Sequence, residues 1–514
     1  MPALAAPAQE TRLTGRAAGG LPELASFRAA FPGYEDTSSL DGLRASEYGY
    51  LDAEGQIYLD YTGAGLPAQA QLRAHAARLH GRCFGNPHSE NPTSAASTAL
   101  IERTRQSVLD YFSASEDEYA VIFTPNASAA CRLVGEAYPF GKRSRLVLTS
   151  DNHNSVNGIR EFALARGAAT EYVPFRCRDL RVDDDAVRAA LRRARPRFAG
   201  PGRRSSAARR GLFAFPAQSN FSGVRHPLTL VDVAHEHGYD VLLDAAAYVP
   251  TRRLDLSAVR PDFVPVSWYK MFGYPTGVGC LLARRDALAR LRRPWFAGGT
   301  ISAVSVQAGW HALAGGEAAF EDGTPSFLQI PDVEFGLSWI RGVGIDVISQ
   351  RVACLTGWML NRLAAMRHGN GQPMARIHGP ADTRDRGGTV AFNLLDPRGR
   401  VVDARTVARD AAAAGISVRT GCFCNPGAAE AAFRLAPSDV ARGRWLAAGS
   451  TDRYMETIGV PGGAIRASVG LASTIEDVQT FLALVHNAYH DRNQAPAYAP
   501  HVGVESVGQA VGDP

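Results

Sequence analysis

Two of the chain's 55 cationic residues are lysines, Lys142 and Lys270; the other 53 are arginines. Arginine keeps its proton at ordinary pH, whereas a buried lysine can release it and attack a carbonyl as the free amine. Lys270 lies in the apolar stretch VPVSWYKMFGYPTGVG. Either it survived a compositional bias or it is kept for Schiff-base chemistry, and the count alone does not choose. Asp244 lies 26 residues upstream, at the end of YDVLLDA. A carboxylate closing an apolar strand needs a partner, and a protonated ring nitrogen would be one. Pro125-Asn126-Ala127-Ser128-Ala129 follows AVIFT with small residues that open a helix. Its first N–H groups, with the Ser128 hydroxyl, could cradle a phosphate, although most such turns are plain caps. His153 follows RLVLTS, Asn220 follows LFAFP, and Ser267 precedes Lys270. A lone histidine is more often a satisfied packing residue than a functional one.

A phosphate cradle, a strand-end carboxylate and a strand-end lysine are the parts that hold pyridoxal 5′-phosphate. The lysine forms the imine, and the carboxylate keeps the ring nitrogen protonated so that the ring draws electrons. Cys422 and Cys424 form a C-x-C in RTGCFCNPG without a second cysteine pair or a histidine set, so no metal site is expected. They are either a structural pair or reactive thiols; a free thiol titrates at ~8.5, and neighbouring cations lower it.

These residues need strand ends to hold them. AVIFT (120–124), RLVLTS (145–150), LFAFP (212–216), YDVLLDA (239–245), DFVPVSWY (262–269) and GCLLAR (279–284) read as strands. Helical runs such as SAACRLVGEAYPF, NSVNGIREFALARG and TLVDVAHEHG alternate with them. That alternation predicts an α/β fold with a mostly parallel sheet covered on both faces. The last third changes character. TVAFNLLD (389–396), a helix over 402–414, ISVRTG (416–421), AIRASVG (464–470) and a helix in EDVQTFLALVHNAYHD (476–491) read as a smaller α+β unit. The expected division is a flexible arm over 1–25, a large α/β domain over 26–340, a small α+β domain over 341–492 and a tail over 493–514.

The chain has 514 residues, 46% of them apolar and 20% charged, which excludes collagen-like, coiled-coil and wholly disordered classes. Its net charge is +5, but 192–210 alone carries eight arginines and no acid, leaving −3 elsewhere. A nucleic-acid reader would spread basic groups over a face with interleaved aromatics; here they fill one Pro/Gly/Ser-bearing stretch, read as a solvated surface insertion. Seven cysteines do not form a secreted framework. The N-terminus lacks the basic and apolar regions of a signal peptide, and no run is long enough to span a membrane. A cytoplasmic protein with no nucleic-acid or membrane partner is expected.

The chain resembles fold-type I, class V aminotransferase-like enzymes, and within them the cysteine desulfurase domain of molybdenum cofactor sulfurases. The resemblance runs from about Tyr58 to His490. It is carried by YLDYTGAGLP (58–67), FPAQSNFSG (215–223), LLDAAAYVPT (242–251), VSWYKMFGYPTG (266–277), FEDGTPSF (320–327), RTGCFCNPGA (419–428) and IRASVGLASTIEDV (465–478). It implies that Lys270 carries the cofactor and shuttles the Cα proton, Asp244 pairs with the pyridine nitrogen, His153 stacks on the ring and Asn220 approaches the phenolic oxygen. Ala127, Ser128 and Ser267 would hold the phosphate, with Thr324 supplied by the other subunit of a homodimer. Arg466 would bind the carboxylate of an amino-acid substrate, L-cysteine, and Arg419 is a second substrate-binding residue. Cys424 would accept the sulfur and pass it to an acceptor. Ala247 stands where many desulfurases have Gln, Tyr269 where many have His, and Pro125-Asn126 where Ser-Gly is usual. No counterpart of the sulfurases' C-terminal sulfur-delivery domain is expected, since about two dozen residues follow His490. A C–S lyase, epimerase or transaminase on the same scaffold, or a non-catalytic binding protein, are the alternatives.

Overall fold

The computed structural model describes residues 21–493, apart from 88, 177–178, 194–210, 437 and 439–459. The arginine-rich stretch therefore lies outside the described residues except Arg192 and Arg193, as do residues 1–20 of the arm and 494–514 of the tail. Leu21–Ala30 is a helix, with Phe27 fully buried.

Seven apolar runs build the main sheet: β1 (Tyr119–Thr124), β2 (Arg145–Thr149), β3 (Ala169–Val173), β4 (Gly211–Pro216), β5 (Tyr239–Asp244), β6 (Phe263–Ser267) and β7 (Gly279–Arg284). Their order is β1-β7-β6-β5-β4-β2-β3. From β6 to β3 all neighbours are parallel, while β7 runs against both β6 and β1. The β6–β7 connection contains one short helix and no crossover over the sheet face, so the chain returns antiparallel. Central strands β4, β5 and β6 are buried nearly throughout, which explains why they read as continuous apolar runs rather than alternating ones.

A second sheet holds β8 (Ala375–His378), β9 (Thr389–Leu394), β10 (Arg419–Gly421) and β11 (Ala464–Ser468), in the order β8-β9-β11-β10 and all antiparallel. The segment expected as one strand, ISVRTG, is divided at Val418. Ile416–Ser417 pairs with Ile57–Tyr58, whereas β10 pairs with β11. One run thus ties the N-terminal YLDYTGAGLP segment to the second sheet.

DFVPVSWY is also shorter as a strand than expected. It ends at Ser267, and Trp268–Phe272 forms a helical turn carrying Lys270. Gly273 closes the turn at φ +74°, where a Cβ would stand 2.2 Å from the backbone of Leu66 and Pro67. NSVNGIREFALARG is interrupted at Gly158, between Asn154–Asn157 and Ile159–Ala165. A hairpin of Ile301–Ser305 and Trp310–Leu313 was not expected, nor were the long helices Ile330–Val343 and Ile345–Ala365.

Candidate active site

The carboxyl ends of β1, β2, β4, β5 and β6 open on one cavity of about 370 Å³, the position where open α/β sheets collect ligands. Ala127, Ser128, His153, Asn220, Asp244, Ser267 and Lys270 all line it. At one end the helix Ala127–Ala137 begins. Asn126 Oδ1 accepts the Ala129 N–H (3.0 Å), Ser267 Oγ accepts the Ala127 N–H (2.9 Å), and the hydroxyls of Ser128 and Ser155 lie 2.5 Å apart. Small residues, two hydroxyls and a helix N-terminus suit a phosphate.

Burial pushes the Lys270 amine below its ordinary range. Asp244 opposes the shift, Arg466 and Arg419 add to it, and Cys424 opposes it slightly. The amine is thereby brought closer to its nucleophilic form. Asp244 receives the Ala246 N–H at 3.0 Å. Burial also lowers the titration of His153, again with Asp244 opposing, which favours the neutral ring. Its Nδ1 accepts the Ser155 N–H at 3.1 Å, so the proton of the neutral ring sits on Nε2. A neutral imidazole can lie against an electron-poor aromatic group without repelling a cationic nitrogen.

Cys424, Arg419 and Arg466 stand beside this cavity rather than in its wall. The Asn154 N–H donates to the Cys424 carbonyl (2.7 Å), and Asn220 Nδ2 donates to the Phe423 carbonyl (2.7 Å). The loop before the helix Pro426–Phe433 is thus fastened to the loops after β2 and β4. Cys424 is exposed and Cys422 half-buried; burial pushes the Cys422 thiol up to about 11. Both are free thiols, which leaves no structural pair between them.

Arg466, on β11, is 3% exposed. Its Nη1 donates to the Asn220 carbonyl (3.0 Å) and its Nη2 to Asp60 Oδ1 (2.9 Å). Arg419 grips the same carboxylate side-on, with Nε at 2.9 Å and Nη2 at 2.5 Å from Oδ2. Among the described residues, Nε of Arg466 is buried without an acceptor. Asp60 carried no role in the sequence reading, although it lies within YLDYTGAGLP. Ser155, Asp151 and Asn425 were also missed. Thr324 does not reach the cavity; it lines a neighbouring one of about 560 Å³ that shares Pro125 and Gly277 with the first.

The chain is 34% identical to the molybdenum cofactor sulfurase of Solanum lycopersicum over 482 residues, covering 90% of this chain and 58% of that protein. It is 35% identical to the Arabidopsis thaliana molybdenum cofactor sulfurase over 486 residues, covering 89% and 59%. The chain therefore spans less than three-fifths of the length of these curated relatives. In fold it is similar to a cysteine desulfurase from Thermococcus onnurineus NA1, at a TM-score of 0.70 and 22% identity, covering 87% of this chain and 97% of that one. Residues 57–198 and 202–481 match the Aminotransferase class-V profile. That match takes in every strand of both sheets, and with it the chain belongs to the aminotransferase class-V family.

Proposed function

We propose that this protein is a pyridoxal 5′-phosphate-dependent cysteine desulfurase. One observation carries the reading: an exposed cysteine, Cys424, is bonded through its own carbonyl to the loop of His153, beside the cavity that holds Lys270 and Asp244. The residues fit the cofactor. The cavity joins a small-residue helix start to a buried amine and a strand-end carboxylate, and a buried guanidinium beside it has an unused donor. Ala127, Ser128 and Ser267 would hold the phosphate, Asp244 the ring nitrogen, His153 the ring face and Asn220 the phenolic oxygen. When bound, the cofactor supplies an electrophilic carbon for an amine and a ring that draws electrons from the substrate's Cα.

Arg466 binds the carboxylate of L-cysteine, with Arg419 and Asp60 fixing its orientation. The Lys270 amine takes the Cα proton and returns a proton to the product. The Cys424 thiolate attacks the substrate sulfur, because the thiolate is the nucleophile. One C–S bond breaks and one S–S bond forms, so L-cysteine and the Cys424 thiol become L-alanine and a Cys424 persulfide. Cys422, held up near 11, is a bystander. The persulfide then passes to an acceptor.

Thr324 faces a neighbouring cavity and would complete the phosphate site of a second subunit in a homodimer. The exposed apolar side chains of the 301–313 hairpin, Trp310 at 52% and Val306 at 94%, suit a face covered in such an assembly. A reducing, cytoplasmic setting suits an exposed free thiol. The test is product analysis with L-cysteine and other amino acids. Equimolar alanine and sulfide under reductant, lost in Cys424→Ala, support the reading; unchanged turnover in Cys424→Ala rejects it in favour of another reaction on the same cofactor.

A further inference from the structure

The loop that presents Cys424 turns through two consecutive left-handed residues, Phe423 (φ +53°) and Cys424 (φ +55°). Neither is glycine, and such backbone persists where its surroundings over-determine it. Asn425 supplies much of that determination. Its side chain is fully buried. Its Nδ2 donates to Asp151 Oδ1 (2.7 Å) and to Asn220 Oδ1 (3.0 Å). Its Oδ1 accepts the Ala428 N–H (3.2 Å), capping the helix Pro426–Phe433. Asp151 is fully buried as well, its Oδ1 accepting the Ser219 hydroxyl and its Oδ2 lying 2.8 Å from His226 Nε2. Asn220, held by Asn425, donates in turn to the Phe423 carbonyl.

The packing agrees with the bonding. The Arg466 guanidinium lies 4.8 Å from the centre of the Phe423 ring. A Cβ on Gly427 would stand 2.2 Å from the Ser150 carbonyl oxygen, so the loop end sits directly on the β2 loop. Each of these contacts leads to a residue at or next to the cofactor cavity.

We propose that Asn425 is a positioning residue: through Asp151 and Asn220 it holds the Cys424 thiol at the sulfur-transfer point without touching substrate. The proposal rests on the desulfurase reading for its kinetic consequence. A corollary is that Cys424 works from an anchored loop, and the sulfur acceptor comes to it.

The test uses the cofactor-loaded enzyme with Asn425→Ser, which keeps a capping oxygen but loses both amide donors. Cofactor absorbance and KM for L-cysteine stay within about twofold, while kcat falls at least about tenfold. The pair Asn425→Asp with Asp151→Asn reverses the donor and acceptor and recovers part of kcat relative to Asn425→Asp alone, where two carboxylates meet. A wild-type kcat in Asn425→Ser shows that the cap alone matters and overturns the proposal, as does a double variant no faster than Asn425→Asp. The second readout needs no turnover: iodoacetamide labels the Cys424 peptide at least about threefold faster in Asn425→Ser than in wild type. If wild type forms no persulfide, the desulfurase reading fails, and this labelling ratio alone decides whether Asn425 fixes the loop; a ratio of one overturns it.

Discussion

The Asn154 N–H donates to the carbonyl of Cys424 at 2.7 Å, one residue beyond His153, which lines the cavity of Lys270 and Asp244. Neither side chain takes part, so the bond depends on where two loops of different sheets meet. It brings the loop of Cys424 and the loop of His153 together at one junction.

Lys270→Ala removes the buried amine that burial and two arginines hold below its ordinary range. Sulfide release from L-cysteine should fall by about 10²- to 10⁴-fold, the span of a positioned acid–base group. Borohydride reduction followed by peptide mapping checks the same point: wild type should carry the cofactor covalently on Lys270, and the variant should not.

The two neighbouring cysteines should separate cleanly. Cys424→Ala should keep the visible absorbance of bound cofactor and lose more than about 100-fold in sulfide release. Cys422→Ala should stay within about twofold, since a thiol held near 11 is almost wholly protonated at neutral pH. Equal losses in both would contradict the assignment.

Asp60→Asn loosens the clamp on Arg419 and Arg466. KM for L-cysteine should rise about tenfold, some 1.4 kcal/mol, with a smaller change in kcat. Steady-state kinetics read the split directly; an unchanged KM would free Asp60 from any part in carboxylate binding.

Acid should destabilise the protein through His378. This side chain is 5% exposed, lies 2.8 Å from Asn393 Oδ1, and is pushed by burial down to about 4. The unfolded chain takes up a proton near 6.5 while the folded one resists until about 4. Stability is therefore complete above pH 6.5 and declines by about 3 kcal/mol as pH falls through that window. Urea unfolding at pH 7 and pH 4.5 should show a smaller difference in His378→Gln than in wild type.

The convergence of Lys270, Asp244 and Ser267 on one cavity was legible because each ends or follows an apolar run, and strand ends in such sheets are where ligands collect. Asp60 was not, since its partners lie 359 and 406 residues away and no local spacing marks them. Asn425 was hidden for the same reason, its partners Asp151 and Asn220 being 274 and 205 residues distant. The division of ISVRTG at Val418 depends on which neighbour each half pairs with, which periodicity does not encode. The 301–313 hairpin leaves most side chains exposed and so carries no burial pattern to read.

The most direct test is the mass of the Cys424 peptide after brief incubation of the loaded enzyme with L-cysteine, without reductant. The expected result is a peptide heavier by one sulfur atom, reverting on addition of dithiothreitol, with one alanine released per persulfide. An unmodified Cys424 peptide alongside continued consumption of L-cysteine would contradict it.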